Sequence, residues 1–405
     1  MNLAIVGSTG LVGKKMLEIL EERDFPIEKI IPVASKKSEG SSIEFKGKMY
    51  RVISIEKSIN EKIDVALFSA GAEVSLKWAP IFSDNGIYVI DNSSAWRMDK
   101  QVKLIIPEIN GFLLTSRDRI IANPNCSTIQ MLMVLAPLHK YFQIKRIIVS
   151  TYQSVTGTGK AAIDQLNNEK NSISGLTIYP HPIYQNALPQ CDIFLENGYT
   201  KEEMKLVNET HKILSDKSIK VSATAVRIPV FGGHAESVNI ELKEKTNSNE
   251  IKKLLEKTDG VIVQDNPGES LYPMPIYAEG KDEVFVGRIR EDYSKENCFK
   301  TLYPGEYVEC ESEWHKEKLG QYYDWNESCP KYQVNDMTLF ILQRHNINLS
   351  WEEWEALSLL KDMTSEDNKF YNMHKSRLAL VLQLAHETVM KDEKDKIDGV
   401  YTVPF

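Results

Sequence analysis

Residues 3–13 read Leu3-Ala4-Ile5-Val6-Gly7-Ser8-Thr9-Gly10-Leu11-Val12-Gly13, an apolar run that breaks into three glycines at three-residue spacing. The run predicts a short buried strand. Val12, Met16, Leu17 and Leu20 recur on one face and predict a helix directly after the glycines. Strand, glycine turn and helix in that order suit a phosphate. Glycines let the chain turn tightly and let a pyrophosphate approach the backbone, while the helix N-terminus offers free N–H groups and a favourable dipole. The spacing is GxxGxxG rather than the commoner GxGxxG, so ordinary glycine usage stays open as the competing reading.

Working outward, Lys29 to Ala34, Ile63 to Ser69, Ile87 to Asn92 and Arg119 to Ala122 read as further short strands rich in Ile and Val. Their alternation with helical patterns predicts an α/β, doubly wound (Rossmann-type) domain over residues 1–126. From residue 127 to 300 the pattern changes. A long helix from Ser127 to about Tyr141 is followed by strands at Ile144 to Ser150, Lys220 to Phe231 and Ser237 to Leu242. Helices are expected at Lys201 to Leu214 and Asn249 to Lys257. This predicts an α+β domain with an extended sheet. Residues 301–405 hold four of the six Trp but three of the 21 Gly. There Ser350-Trp-Glu-Glu353 fits a capping box, stapled by Leu349 and Trp354, and a second helix is expected from about Lys369 to Met390. The segment reads as mainly helical.

Composition bounds what such a chain can do. Its 405 residues suffice for two or three domains, and 42% hydrophobic with 26% charged residues is ordinary for a soluble globular protein. No apolar run is long enough for a membrane span, and no basic region precedes the first strand, so neither a membrane anchor nor a secretory signal is expected. The net charge of -8 disfavours a nucleic-acid partner. Cys126, Cys191, Cys298, Cys310 and Cys329 form no CxxC pair, so neither a disulfide framework nor a metal site is expected, and a reducing cytoplasm is the simplest location.

Four stretches carry chemistry. After the second strand the text is Val33-Ala-Ser-Lys-Lys37-Ser38, with cations where an NAD site usually places a carboxylate. Lys36 or Lys37 can neutralise a 2'-phosphate, which favours NADP; a solvated basic loop is the alternative. In Asn123-Pro-Asn-Cys126-Ser-Thr the thiol falls at the start of the long helix, where the dipole favours thiolate. Arg227-Ile-Pro-Val-Phe-Gly-Gly-His234 offers an acid/base after two glycines, with an arginine fork suited to a carboxylate on the same strand. Arg97, in Asp91-Asn-Ser-Ser-Ala-Trp-Arg97, follows another strand end, where ligands of open α/β sheets bind.

The first 300 residues resemble aspartate-semialdehyde dehydrogenase, close to the bacterial branch of that family. The matching text includes GSTGLVG, FSAGAEVS, DNSSAWRM, IIPEIN, NPNCST, TYQSVTGTGK, YTKEEMK, VSATAVRIPVFGGHAES and VFVGRIR in family order. The resemblance implies NADPH-dependent, reversible reductive dephosphorylation of 4-phospho-L-aspartate to L-aspartate 4-semialdehyde, feeding lysine, diaminopimelate, methionine and threonine synthesis. It makes Cys126 the nucleophile of a thioacyl enzyme and His234 the acid/base. Gln153 would orient the acyl group, Arg227 hold the substrate carboxylate and Glu202 its ammonium group. Arg97 and Lys205 would form the phosphate site. Thr9, Gly10, Leu11, Val12, Lys37, Ser38, Thr156 and Gly157 would touch NADP. The family commonly has Arg where Lys37 stands; the charge is kept and the fork is lost. A homodimer or homotetramer through the second domain is implied.

The likeness stops after Arg290-Glu-Asp-Tyr-Ser-Lys-Glu-Asn-Cys298. The family's last strand, its Lys-Gly-Ala-Ala-x-Asn segment and the helix that returns to the nucleotide domain have no recognised counterpart between Thr301 and Phe405. Either the tail replaces those elements, or it is a partner-binding module on a truncated, inactive enzyme, or the join is an artefact of recombination. The other enzyme of this architecture and thioester logic is N-acetyl-gamma-glutamyl-phosphate reductase. It usually carries Gly before its nucleophile, where Asn125 stands here.

Overall fold

The turn at Gly7 sits where the first sheet changes direction. The computed structural model of the chain describes residues 1–305. Fifteen strands occur there: β1 (Asn2–Val6), β2 (Lys29–Ala34), β3 (Ser42–Phe45), β4 (Lys48–Arg51), β5 (Ile53–Ser54), β6 (Val65–Phe68), β7 (Tyr88–Asp91), β8 (Lys103–Leu104), β9 (Ile120–Ala122), β10 (Ile144–Gln153), β11 (Lys220–Arg227), β12 (His234–Leu242), β13 (Val261–Val263), β14 (Val284–Glu291) and β15 (Cys298–Gly305). Seven make a parallel sheet in the order β5-β2-β1-β6-β7-β9-β8. From β1 the chain passes to β2 on one side and later to β6 on the other, so the switch point lies beyond the C-terminal end of β1. The strands β3 and β4 form a separate antiparallel hairpin, which the sequence pattern did not signal.

Two glycines of the turn have backbone too close to admit any side chain. Gly7 has φ +101°, and a Cβ there would lie 2.3 Å from the carbonyl oxygen of Ser69. A Cβ on Gly13 would lie 2.3 Å from the carbonyl oxygen of Gly7. The helix Leu11–Glu22 begins beside them with no side-chain cap and no acidic residue in its first turn. Its leading N–H groups and dipole are thus left to a ligand.

The second sheet is mixed, in the order β11-β10-β12-β15-β14-β13. Between the sheets runs the helix Cys126–Phe142, buried from Ser127 to Leu135 and again at Leu138. Its Leu132, Leu135 and Leu138 share one apolar core with Leu104 and Ala122 of the parallel sheet and Val149, Ile240 and Val286 of the mixed one. Each such Leu, Val or Ile side chain stabilises the fold by about 1.5–3 kcal/mol, and truncating Leu135 to Ala would cost about 2–5 kcal/mol. This packing fixes the helix, and with it the position of Cys126.

The structure corrects the sequence reading at the domain's end. A last strand is present after all: β15 lies inside the sheet, antiparallel to both β12 and β14. Its ending in Pro304-Gly305, residues poor in the middle of a sheet, disguised it. It also crosses the expected boundary at residue 300. The strand expected from Lys220 to Phe231 ends earlier, at Arg227, and the following one begins earlier, at His234. The helices expected around Ser350 and Lys369–Met390, and nearly all of the expected tail segment, lie outside the described residues. Among the described residues no helix is long and apolar enough to cross a membrane, and no cluster of His, Cys, Asp or Glu is arranged to hold a metal.

Candidate active site

Register brings three functional side chains to one end of the mixed sheet. Gln153, the last residue of β10, is paired in parallel register with Arg227, the last residue of β11. Ala235 on the antiparallel neighbour β12 faces Tyr152, so His234 opens that strand at the same end. Cys126 arrives from the other sheet. It follows β9 at the C-terminal edge of the parallel strands and is the first residue of its helix. Asn125 caps that helix, its side-chain oxygen accepting from the amides of Ser127 at 3.0 Å and Thr128 at 3.4 Å. Such a cap satisfies two of the orphan donors of a helix start and fixes the entry of the chain. Cys126 itself is half-buried.

Around Asn125 the buried polar groups interlock. Its side-chain amide donates to Glu202 Oε1 at 2.9 Å, and its backbone amide donates to Glu209 Oε2 at 2.7 Å. Gln153 Nε2 donates to Ser127 Oγ at 3.3 Å, Thr151 Oγ1 at 3.2 Å and Glu202 Oε1 at 3.3 Å. Lys205 donates to Glu202 Oε2 at 2.8 Å and Asp192 Oδ2 at 3.0 Å. Burial alone would push the Glu202 carboxyl up, but the Lys205 ammonium and the hydrogen bonds hold it below the usual range. The same pairing, added to Asp192, outweighs burial at Lys205 and raises it. Glu202 and Lys205 therefore stand as an ion pair.

The arginines differ in how far they are engaged. Arg97 donates to Glu209 Oε1 at 3.2 Å and to the carbonyl of Asn92 at 2.9 Å, and its Nε is buried with no partner. Arg227 donates through Nη1 to the carbonyl of Ser154 at 2.5 Å, and its Nε is likewise buried and unpartnered. Two buried guanidinium groups with spare N–H donors are a means of binding anions.

His234 is buried, and its pKa is pushed down to about 4, by burial first and then by the charge of Arg227. The backbone amide of Ser154 donates to its Nδ1 at 3.1 Å, with the Ser154 hydroxyl at 3.2 Å. An amide can only donate, so the neutral imidazole carries its proton on Nε2. Gly157 lies against the same ring: a Cβ there would sit 3.6 Å from Nε2 and 3.0 Å from Arg227 Nη1. Thr156 is tied in through the Ser154 hydroxyl, 2.7 Å away.

Most of the expected residues thus converge. Cys126, Gln153, Glu202, Lys205 and Arg97 share one network through Asn125 and Glu209, while Arg227, His234, Thr156 and Gly157 meet at Ser154. Thr9 and Gly10 lie in the glycine turn, Leu11 and Val12 open the helix after it, and Lys37 and Ser38 lie in the turn after β2, where Lys37 is exposed. One expectation changes in detail: Arg97 and Lys205 are each already paired with a carboxylate. Sequence reasoning missed Asn125 as cap, Ser154, Glu209 and Glu236. Glu209 stands seven residues after Glu202 on the helix Lys201–Ile213, an acid on its buried face, which is the signal that could have found it.

Residues 2–116 match the family model described as semialdehyde dehydrogenase, NAD binding domain, and residues 135–303 that described as semialdehyde dehydrogenase, dimerisation domain. Over 299 residues the chain is 52% identical to the aspartate-semialdehyde dehydrogenase of Aquifex aeolicus (strain VF5), covering 72% of this chain and 88% of that protein. The crystal structure of aspartate semialdehyde dehydrogenase II from Vibrio cholerae aligns with a TM-score of 0.73 at 42% identity, over 80% of this chain and 99% of the other. The same Vibrio cholerae enzyme complexed with ASA aligns with a TM-score of 0.73 at 41% identity, over 80% and 99%.

Proposed function

We infer the reaction from one premise: this chain belongs to the aspartate-semialdehyde dehydrogenase family. Its function is the reversible reductive dephosphorylation of 4-phospho-L-aspartate to L-aspartate 4-semialdehyde with NADPH. The observation that carries this reading is the buried network that joins the capped Cys126 turn to Gln153, Glu202 and Lys205, with His234 and Arg227 at the same sheet end.

The dinucleotide fits the first domain. The cradle at Gly7 and Gly13 leaves room only for hydrogen, and the uncapped helix start beyond it suits a pyrophosphate held by Thr9, Gly10, Leu11 and Val12. Lys37 and Ser38, beyond β2, would meet the 2'-phosphate. Thr156 and Gly157, beside His234, would stand at the reacting end. When bound, NADPH supplies a hydride to the thioester carbon.

The chain's own groups perform the rest. Arg227 holds the substrate carboxylate with its spare N–H, and Glu202 receives the ammonium group. A buried carboxylate at that point suits a free amine better than an N-acetylated one, which argues against N-acetyl-gamma-glutamyl-phosphate reductase chemistry. The Cys126 sulfur attacks the acyl carbon: a C–S bond forms, the C–O bond to phosphate breaks, and phosphate leaves toward Arg97 and Lys205. Gln153 orients the acyl group throughout. His234 presents Nε2–H, so it donates to the oxygen that gains negative charge as the carbon becomes tetrahedral. Collapse of the thiohemiacetal frees the aldehyde and returns the Cys126 sulfur. The matched dimerisation domain supports an assembly of identical subunits, with a homodimer or homotetramer in the cytoplasm as the working form.

The test is NADP reduction by the full-length protein given aspartate 4-semialdehyde and phosphate, beside Cys126→Ala. Phosphate-dependent turnover that disappears in the variant is the expected result. A folded protein that binds NADP and shows no turnover would sink the reading and return attention to residues 306–405.

A further inference from the structure

Alternation along β12 places His234 and Glu236 on the same face, two residues apart. Glu236 is completely buried, and no hydrogen bond of ordinary geometry reaches either carboxyl oxygen, although the Ser127 hydroxyl lies near enough to act on its charge. Two groups act on it: the Ser127 hydroxyl, on the residue after the nucleophile, and the negative charge of Glu202. Its ladder neighbour on β10 is Thr151. Thr151 and Ser127 are two of the three acceptors that receive the Gln153 amide, and Glu202 is the third. A buried carboxyl group is therefore aimed at the hinge of the Cys126–Gln153 arrangement, with no role in the chemistry described above.

We propose that Glu236 is a positioning residue for the nucleophile turn, seating the Ser127 hydroxyl and through it the Gln153 carboxamide that faces the acyl group. This rests on the reaction proposed above and deepens it. The protonation state follows from the surroundings. A lone carboxylate in an apolar interior takes a proton instead of staying charged. Burial, reinforced by Glu202, pushes Glu236 well above the usual carboxylate range, against a smaller pull from Ser127. As an acid it can donate to Ser127 Oγ or accept from it, and Ser127 keeps its other site for Gln153. As an anion it would set a second negative charge beside Glu202 and oppose a thiolate on Cys126.

The experiment compares wild type with Glu236→Leu, which keeps bulk and removes polarity, and Glu236→Gln, which keeps polarity and cannot ionise. Three quantities are read: kcat and KM for aspartate 4-semialdehyde, the melting temperature, and the pH midpoint of Cys126 alkylation by iodoacetamide, followed by peptide mass. Glu236→Leu is expected to lose roughly tenfold to a hundredfold in kcat with a smaller change in KM. Glu236→Gln is expected to restore kcat and to leave the alkylation midpoint where wild type has it. A Gln midpoint lower by about half a pH unit or more would show an ionised Glu236 and overturn the proposal. Wild-type kcat in Glu236→Leu would overturn it too. Should Glu236→Leu fail to fold, the infrared carbonyl band of a protonated carboxyl, present in wild type and missing in Glu236→Gln, decides; its absence from wild type overturns the proposal. A wild type without turnover would count against the reaction, while alkylation and infrared would still judge Glu236.

Discussion

Arg97 and Glu209, 112 residues apart in the chain, form a buried ion pair at 3.2 Å, and the second oxygen of Glu209 holds the backbone amide of Asn125. The arginine expected to receive phosphate and the residue that caps the nucleophile helix thus hang on one carboxyl group. Burial outweighs Arg97 there and leaves Glu209 above the usual carboxylate range. Glu209→Ala is expected to destabilise the protein by about 3–5 kcal/mol, because it strands a buried guanidinium. Glu209→Gln, which still accepts from Asn125, is expected to cost less. Urea unfolding of the two variants measures the difference, and equal losses would show that the amide contact contributes nothing.

Gly157 tests the crowding at the acid/base. Its backbone tolerates a side chain, but a Cβ would press on Arg227 Nη1 at 3.0 Å, and Arg227 is tethered to Ser154 at 2.5 Å. Gly157→Ala is expected to raise KM for aspartate 4-semialdehyde about tenfold, the worth of one displaced hydrogen bond, with the melting temperature nearly unmoved. An unchanged KM would place the substrate carboxylate elsewhere.

Lys37 is exposed after β2, and its charge is the proposed reason for choosing NADP over NAD. Lys37→Glu is expected to lower the ratio of kcat/KM for NADP to that for NAD by roughly tenfold to a hundredfold. Lys37→Arg, restoring a bidentate fork, is expected to raise it. A ratio indifferent to both changes would remove Lys37 from the cofactor site.

His234 makes stability depend on pH. Its folded pKa of about 4 lies below the ordinary 6.5, so across that interval the unfolded chain binds a proton that the folded one refuses. Stability from this group is complete above 6.5 and is lost as pH falls toward 4. The loss is on the order of 3 kcal/mol. His234→Asn is expected to flatten that slope in denaturant titrations, and parallel wild-type and variant curves would contradict the burial argument.

What could be read in advance depended on how local the causes were. Gly7, Gly10 and Gly13 act within one turn of chain, and Cys126 starts a helix whose apolar text begins at once; both were legible. The meeting of Gln153, Arg227 and His234 depends on strand register across 81 positions, and only the family resemblance anticipated it. Glu209 left only its helical spacing from Glu202 as a signal, and Glu236 left none, because an acid on a buried strand face looks like any charged residue until its neighbours are known. Pro304 and Gly305 hid β15. The pairing of Arg97 with Glu209 joins different domains of the expected division, which no short pattern encodes.

The place of β15 also bears on how the molecule comes into being. Among the described residues it is the last strand of its sheet to be synthesised, yet it lies between β12 and β14. Until residue 305 has been made, those two strands present bare edges to each other and to any neighbouring chain, a recognised route to misassembly. Synthesis therefore supplies every described strand of the nucleotide-binding sheet early and leaves the described strands of the catalytic sheet without a hydrogen-bonded join between β12 and β14 until β15 is made.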